Sequence, residues 1–405
     1  MKVLQVNTTV NSGSVGRITE EIGVVLLKEG HRSLIAAAFT ERKSQSEIIK
    51  IGSSIDRKFH GIKTRIYDMH GFGSKSATIR LIKQIEKIVP DIVHLHNIHG
   101  YYLHVGVLFD FLHDAGIPII WTLHDCWSFT GHCSYFDMVK CDKWQTECSI
   151  CPNKHGYPAS WIYDNSQNNY RLKKGLFTSI DNMFFVTPSL WLARHVSNSF
   201  FNMYHIKVIN NGVDIERFKP CNTDRLRTRY NLSNKNIILG VANYWDPRKG
   251  LNDFINIRNM LDLSNEIVLV GLSKKQIMRL PKGITGITHT ENLNELAELY
   301  SVSSVFLNPT YVDNFPSTNI EALACGTPVV TYNTGGSPEA IDQFTGIVVK
   351  KGYIDGLFSA VNEILKNGKD IYANNCRERA VKFFNKDDRF GEYISLYYDI
   401  LRTKN

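Results

Sequence analysis

Two carboxylates, Asp313 and Glu321, stand with seven residues between them on the two sides of one loop-to-helix turn. Acids so placed can accept hydrogen bonds from vicinal hydroxyls, the groups that a sugar or a ribose offers. A few residues on, Gly335-Gly336-Ser337-Pro338-Glu339 reads as a helix start with Ser337 as N-cap and Pro338 at the first helical position. Backbone bared by two glycines at a helix N-terminus suits a phosphate. Each feature also has a plain structural reading. Thr318-x-x-Glu321 is the pattern of a capping box, and Glu339 can simply complement a helix dipole.

Other chemistry-bearing groups lie at similar turns. Arg248-Lys249-Gly250 follows the apolar run Ile237 to Ala242, and His124-Asp125 ends the run Ile119 to Leu123, with Asp125 able to orient the imidazole. Gly13 and Gly16 sit in a glycine- and serine-rich turn after Lys2–Val6, a weak phosphate-cradle signal that is not the dinucleotide fingerprint. Cys133, Cys141, Cys148 and Cys151 are spaced C-x7-C-x6-C-x2-C. Four thiolates suffice for a closed tetrahedral Zn²⁺ site of structural type, and the segment from Ser134 to Glu147 has few aliphatic residues to bury. The alternative is four buried or exposed thiols. Cys126, tied to the strand end, stays outside that set.

The elements that must hold these groups alternate strand and helix. The runs 2–6, 34–39, 90–97, 118–125, 184–189, 236–242, 266–271, 304–307, 327–330 and 346–349 read as strands and their exits, with 304–307 a buried parallel one. Thr78 to Val89 is amphipathic, with Ile79, Ile82, Ile85 and Val89 on the face expected to pack on the sheet. Residues 40–75 show no readable pattern. Open α/β sheets bind ligands at the carboxyl ends of their strands, where the groups above fall. The chain has 405 residues, long enough for two such domains. With 43% hydrophobic and 21% charged residues it has globular composition. No run approaches the ~20 apolar residues of a membrane span. Met1 leads directly into a strand pattern, so no signal peptide is expected, the location is expected to be cytoplasmic, and disulfides are disfavoured. The net charge of +8 fits anionic nucleotides and peripheral contact with an anionic membrane face. No nucleic-acid motif is present.

The segment Asp313-x7-Glu321-Ala322-Leu323-Ala324-Cys325-Gly326-Thr327-Pro328-Val329-Val330 resembles the donor site of the retaining family 4 glycosyltransferases, including bacterial polysaccharide enzymes of the colanic-acid type. Their mark is Glu-x7-Glu followed by Ala-x-Ala-x-Gly-x-Pro-Val-Val. Here the first Glu is shortened to Asp, and the family's Gly-Arg before Lys-Gly is missing its arginine, with Arg248 beside Lys249 instead.

The resemblance covers nearly the whole chain. It implies the GT-B fold: two Rossmann-like α/β domains facing across a cleft, here 1–215 on the acceptor side (with the Cys-rich insert 126–151) and 216–387 on the nucleotide-sugar side, with the last helix, 388–405, crossing back. It implies that Arg248, Lys249, Gly335 and Gly336 clamp the diphosphate, that Glu321 holds the ribose, and that Asp313 and His124 face the reacting sugar. Gly13 and Gly16 would approach the donor phosphate, with Glu339 also on the donor side. Asn97, His99 and Tyr101 would fall on the acceptor side. No catalytic metal is implied, and no Asp-x-Asp metal pair is present.

The function so implied is retaining transfer of a hexosyl group from a nucleoside diphosphate sugar, of UDP or GDP type, to a glycan or polyprenyl-linked acceptor in cell-surface polysaccharide synthesis. The alternatives are a sugar phosphorylase or nucleotide-sugar epimerase of the same fold, or a noncatalytic nucleotide-sugar-binding subunit.

Overall fold

The computed structural model describes residues 1–232 and 235–403, so the last two residues of the expected C-terminal segment 388–405 lie outside it. The chain forms two compact units, one of Met1–Asn210 plus the residues from Phe390 onward, the other of Asn211–Arg389.

The first unit is built on β1 (Lys2–Thr9), β2 (Arg32–Phe39), β3 (Glu47–Lys50), β4 (Ile92–Leu95), β5 (Ile119–Thr122), β6 (Met183–Thr187) and β7 (Ile206–Val208). They form one parallel sheet in the order β3-β2-β1-β4-β5-β6-β7. β1 shows why its apolar run is continuous. Leu4 and Val6 enter one core with Leu34, Val93 and Trp121, while Val3 enters another with Ile18, Ile22 and Ile120. A strand covered on both faces has no polar side to display. Phe390, Tyr393, Ile394 and Tyr397, on the helix Lys386–Thr403, complete the second of these cores.

The second unit has β8 (Asn236–Val241), β9 (Asn265–Val270), β10 (Ile284–Ile287), β11 (Val305–Asn308), β12 (Val329–Tyr332) and β13 (Gly346–Val349), ordered β10-β9-β8-β11-β12-β13 and all parallel. Both orders reverse direction beside their first strand, between β1 and β4 and between β8 and β11. Such a switch point opens a crevice at the carboxyl ends of the two strands.

Three local expectations change. The helix read from Thr78 to Val89 spans Lys75–Ile88 and buries Ala77, Thr78, Leu81 and Ile85, while Ile79 and Val89 are exposed. The periodicity was right, but the packed face is rotated, because Leu81 and Ala77 complete the stripe that meets the core. The helix carrying Glu321 runs Ser317–Ala324 with Pro316 at the N-cap and no side-chain cap. The capping-box position is then Asn319, and Glu321 lies two residues too deep to be its acid. Gly335-Gly336 leads into a four-residue 3-10 turn, Ser337–Ala340, with Gly336 rather than Ser337 at the cap. Ser337 Oγ is instead drawn inward, 2.7 Å from Thr331 Oγ1 and 3.1 Å from Asn319 Nδ2.

Candidate active site

In the second unit the charged groups gather beyond β8 and β11. Asp246 accepts the Arg248 backbone N–H at 2.9 Å and so caps the 3-10 turn Pro247–Lys249. That turn directs the Lys249 ammonium onto Asp313 Oδ2, to which it donates a hydrogen bond. The Arg248 guanidinium lies 3.8 Å from the same oxygen and donates to the Val312 carbonyl at 2.9 Å. Burial pushes the Asp313 carboxyl up, but Lys249, Arg248 and the Asn314 N–H outweigh it and hold it below the usual carboxylate range. Arg248 thus reaches the carboxylate from its shifted position. Glu321 is buried and accepts from Tyr300 Oη at 2.9 Å through Oε2.

Gly335 closes this site from the β12 side. Its φ of +58° is left-handed, and a Cβ there would lie 1.9 Å from the Asp313 carbonyl oxygen. The next residue, Gly336, donates its N–H to that carbonyl at 3.0 Å. The turn that follows is a single short 3-10 turn rather than the expected α-helix start, and the Gly336 amide is engaged in fixing Asp313. Glu339 sits half-buried in that turn.

In the first unit the expected partner of His124 changes. Asp125 does not orient it. Asp125 Oδ2 accepts from His99 Nε2 at 2.9 Å, and Oδ1 from the Trp127 N–H at 2.9 Å. His124 Nε2 lies 3.1 Å from His96 Nδ1 instead, and His96 Nε2 lies 3.1 Å from Gln5 Oε1. Gln5 spends its amide N–H on the Thr19 carbonyl at 2.9 Å, so its oxygen must be the acceptor. This forces His96 to carry its proton on Nε2, and His124 to donate from Nε2 and present Nδ1 as a lone pair. Burial keeps both rings neutral, lowering His124 to about 4 and His96 well below its usual range.

Around His99 several buried groups have no hydrogen bond: both ring nitrogens of His70, Nδ1 of His99 and the Tyr101 hydroxyl. Tyr101 has a left-handed φ of +70° and stands edge-on to His70 at 4.7 Å. Asn97 is half-buried, and its carbonyl takes the Tyr102 hydroxyl at 2.7 Å and Thr8 Oγ1 at 3.1 Å. Gly13 begins the helix Gly13–Lys28 at an exposed end, and Gly16 lets that helix pass close to β1, since a Cβ would come within 2.5 Å of Thr9 Oγ1. Gln5 and His70 were missed by sequence reasoning, and His96 reads from sequence only as a packed, hydrogen-bonded strand residue. The alternation His94-x-His96 on a strand is what marks it. His94 itself is turned into the core onto Tyr397 and Thr122.

Cys133, Cys141, Cys148 and Cys151 line one small cavity with His132, Phe136 and Trp144. Cys148 Sγ accepts the Gly131 N–H at 3.2 Å. Among the described residues, no three His, Cys, Asp or Glu side chains are grouped so as to hold a metal ion, so the expected tetrahedral set is not assembled as the thiols stand.

Two nucleotide-fold units with these motifs define a glycosyltransferase. Residues 15–217 match the family described as Glycosyltransferase Family 4, and residues 235–367 match Glycosyl transferases group 1. The chain belongs to glycosyltransferase family 4. Over 99% of its length it is 24% identical to the colanic acid biosynthesis glycosyl transferase candidate WcaC from Escherichia coli (strain K12), of which it covers 100%. It is 26% identical to the Escherichia coli UDP-Gal:alpha-D-GlcNAc-diphosphoundecaprenol alpha-1,3-galactosyltransferase, over 49% of this chain and 55% of that protein. Among solved structures, sucrose-phosphate synthase from Thermosynechococcus elongatus superposes with a TM-score of 0.74 at 17% identity, covering 99% of each chain. HepE from Anabaena in complex with UDP-glucose gives a TM-score of 0.68 at 16% identity, covering 98% of this chain and 99% of that one. These likenesses establish the GT-B fold.

Proposed function

We propose that the protein is a retaining, metal-independent hexosyltransferase of cell-surface polysaccharide synthesis that takes a nucleoside diphosphate sugar as donor and a glycan or polyprenyl-linked acceptor. The observation that carries this reading is the convergence of Lys249 and Arg248 on Asp313 at the β8–β11 switch point, with Glu321 eight positions further on. Charge builds on the departing diphosphate as the glycosidic bond breaks, and fixed cations aimed at it are the main electrostatic aid. Lys249 and Arg248 serve that role, Glu321 accepts the ribose hydroxyls, and Asp313 positions the lysine beside the sugar. His124 presents its Nδ1 lone pair to a sugar hydroxyl, and Asn97, His99 and Tyr101, with His70, offer polar contacts to a hydroxyl-rich acceptor. Gly13 and Gly16, at the exposed start of their helix, serve as further donor-phosphate contacts in this reading. The UDP-glucose in HepE and the diphosphoundecaprenol in the galactosyltransferase's name favour a UDP-type donor and a lipid-linked acceptor.

Calorimetry with UDP and GDP tests the donor half. Glu321→Ala should weaken the bound nucleotide by roughly 1.5–3 kcal/mol, the scale of a hydrogen bond to a charged group. Unchanged affinity would remove Glu321 from the site. Incubation of donor with and without acceptor, followed by mass spectrometry, separates transfer from the other activities. An epimerase alters the donor sugar without an acceptor, a phosphorylase requires inorganic phosphate, and a binding subunit turns nothing over.

For the cysteine insert we propose a structural zinc, bound when the Cys133, Cys141, Cys148 and Cys151 sulfurs draw together across the cavity they already share.

A further inference from the structure

The helix Ser54–Tyr67 is amphipathic in the wrong sense for a packed helix. The residues it buries are His60 and Thr64. Its apolar residues face outward at helical spacing: Ile55 is 63% exposed, Phe59 69% and Ile62 55%. A stripe at i, i+4 and i+7 covers one face. Against the last turn of this helix lies a second exposed apolar group, Trp161, Ile162 and Tyr163. It is fastened there by backbone hydrogen bonds, Trp161 N–H to the Arg65 carbonyl at 2.7 Å and Tyr163 N–H to the Ile66 carbonyl at 3.1 Å. The Tyr67 and Tyr163 rings stack at 5.7 Å. Between helix and segment runs a groove lined by Lys58, Gly61, Ile62, Arg65, Ile66 and Trp161. A contiguous outward apolar face of this kind marks an interaction surface.

We propose that this face docks on an anionic lipid bilayer. The charges choose the partner. The helix carries Arg57, Lys58, Lys63 and Arg65 against one acid, Asp56, which is engaged by the Ser53 N–H and hydroxyl at its own N-terminus. Lys58 and Arg65 line the groove itself, while Arg57 donates to the Ala38 carbonyl at 3.2 Å and Lys63 to the Phe72 carbonyl at 3.1 Å. The Arg65 guanidinium stands over the Trp161 ring at 5.8 Å. Cations beside an apolar stripe, with Trp and Tyr at its margin, are the composition that settles at the headgroup level of a negatively charged membrane. The docking gives the proposed lipid-linked acceptor its approach, and rests on that reading for its purpose only.

The test uses the full chain in flotation assays with phosphatidylglycerol-rich vesicles and with pure phosphatidylcholine vesicles. The protein should float with the anionic vesicles at low salt, and high salt should release it. Phe59→Ser combined with Trp161→Ser should lower the bound fraction at least about tenfold, since both side chains insert. Both are exposed, so the fold and transfer to a water-soluble acceptor should be unchanged. Wild-type protein that fails to float, or a variant that floats equally well, overturns the proposal. So does a dimer in solution that the same variant splits, because the face would then belong to a second copy. Loss of transfer to the soluble acceptor in the wild type would instead count against the proposed reaction and leave the docking result standing.

Discussion

His124 Nε2 and His96 Nδ1 lie 3.1 Å apart, and Gln5 beyond them fixes which nitrogen of each ring carries the proton. A neutral His124 with an accepting Nδ1 can take a hydrogen bond from a sugar hydroxyl and cannot donate one from that atom. His124→Ala should therefore lower kcat by about tenfold or more, with nucleotide affinity by calorimetry nearly unchanged. Gln5→Leu, which touches neither ligand, should lower kcat by a smaller factor by releasing the tautomer. Full activity in both variants removes the relay from the chemistry.

Lys249 and Asp313 form a part-buried pair, and removing the lysine leaves Asp313 with only the more distant Arg248 guanidinium at 3.8 Å. Lys249→Met should abolish most turnover and also destabilise the second unit, by about 1–3 kcal/mol in denaturant unfolding. Asp313→Ala should retain nucleotide binding and lose turnover with the intact sugar donor. The double variant should recover part of the stability lost by Lys249→Met, and a strictly additive loss would argue that the pair is not coupled.

Buried histidines should make the protein acid-sensitive. Burial holds His60 and His94 at about 3, against 6.5 in an unfolded chain. His60 Nε2 accepts the N–H groups of Gly71 and Gly73, contacts that a protonated ring would break. Below pH 6.5 the unfolded chain takes up protons that the folded chain refuses, so stability is fully present above 6.5 and is lost as pH falls toward 3. At pH 5 each of the two should cost about 2 kcal/mol. Tm measured from pH 7.5 to 5 should fall steadily, and His94→Gln should flatten the slope. A pH-independent Tm would contradict the burial of these rings.

Zinc in the insert is checked by metal analysis of protein purified without chelator. About one equivalent is expected, lost in Cys148→Ser and Cys151→Ser. Tyr157, six positions beyond Cys151, packs its ring on His70 at 5.8 Å and on His99 at 6.1 Å, so chelation should also raise the acceptor KM before it affects nucleotide binding. Less than about a tenth of an equivalent, with four freely titrating thiols in the native protein, would sink the site.

The sequence by itself determined the alternation of buried strands and helices, the two sheets, and the turns that carry Lys249, Asp313, Glu321 and His124. These are short-range matters: continuous apolar runs mark strands covered on both faces, and Gly and Pro punctuate the turns at their ends. Which groups meet was decided by tertiary structure. Lys249 and Asp313 are 64 positions apart, and His96 and His124 are 28 apart. Neighbouring Asp125 passed over His124 for His99, because the chain bends after β5 and Asp125 is held there by the Trp127 N–H at 2.9 Å. A helical period reveals a stripe but not which stripe the core accepts. Leu81 replaced Ile79 in one helix for that reason, and in another Phe59 and Ile62 were left facing solvent, because only the packed neighbours determine which face of a helix is inside.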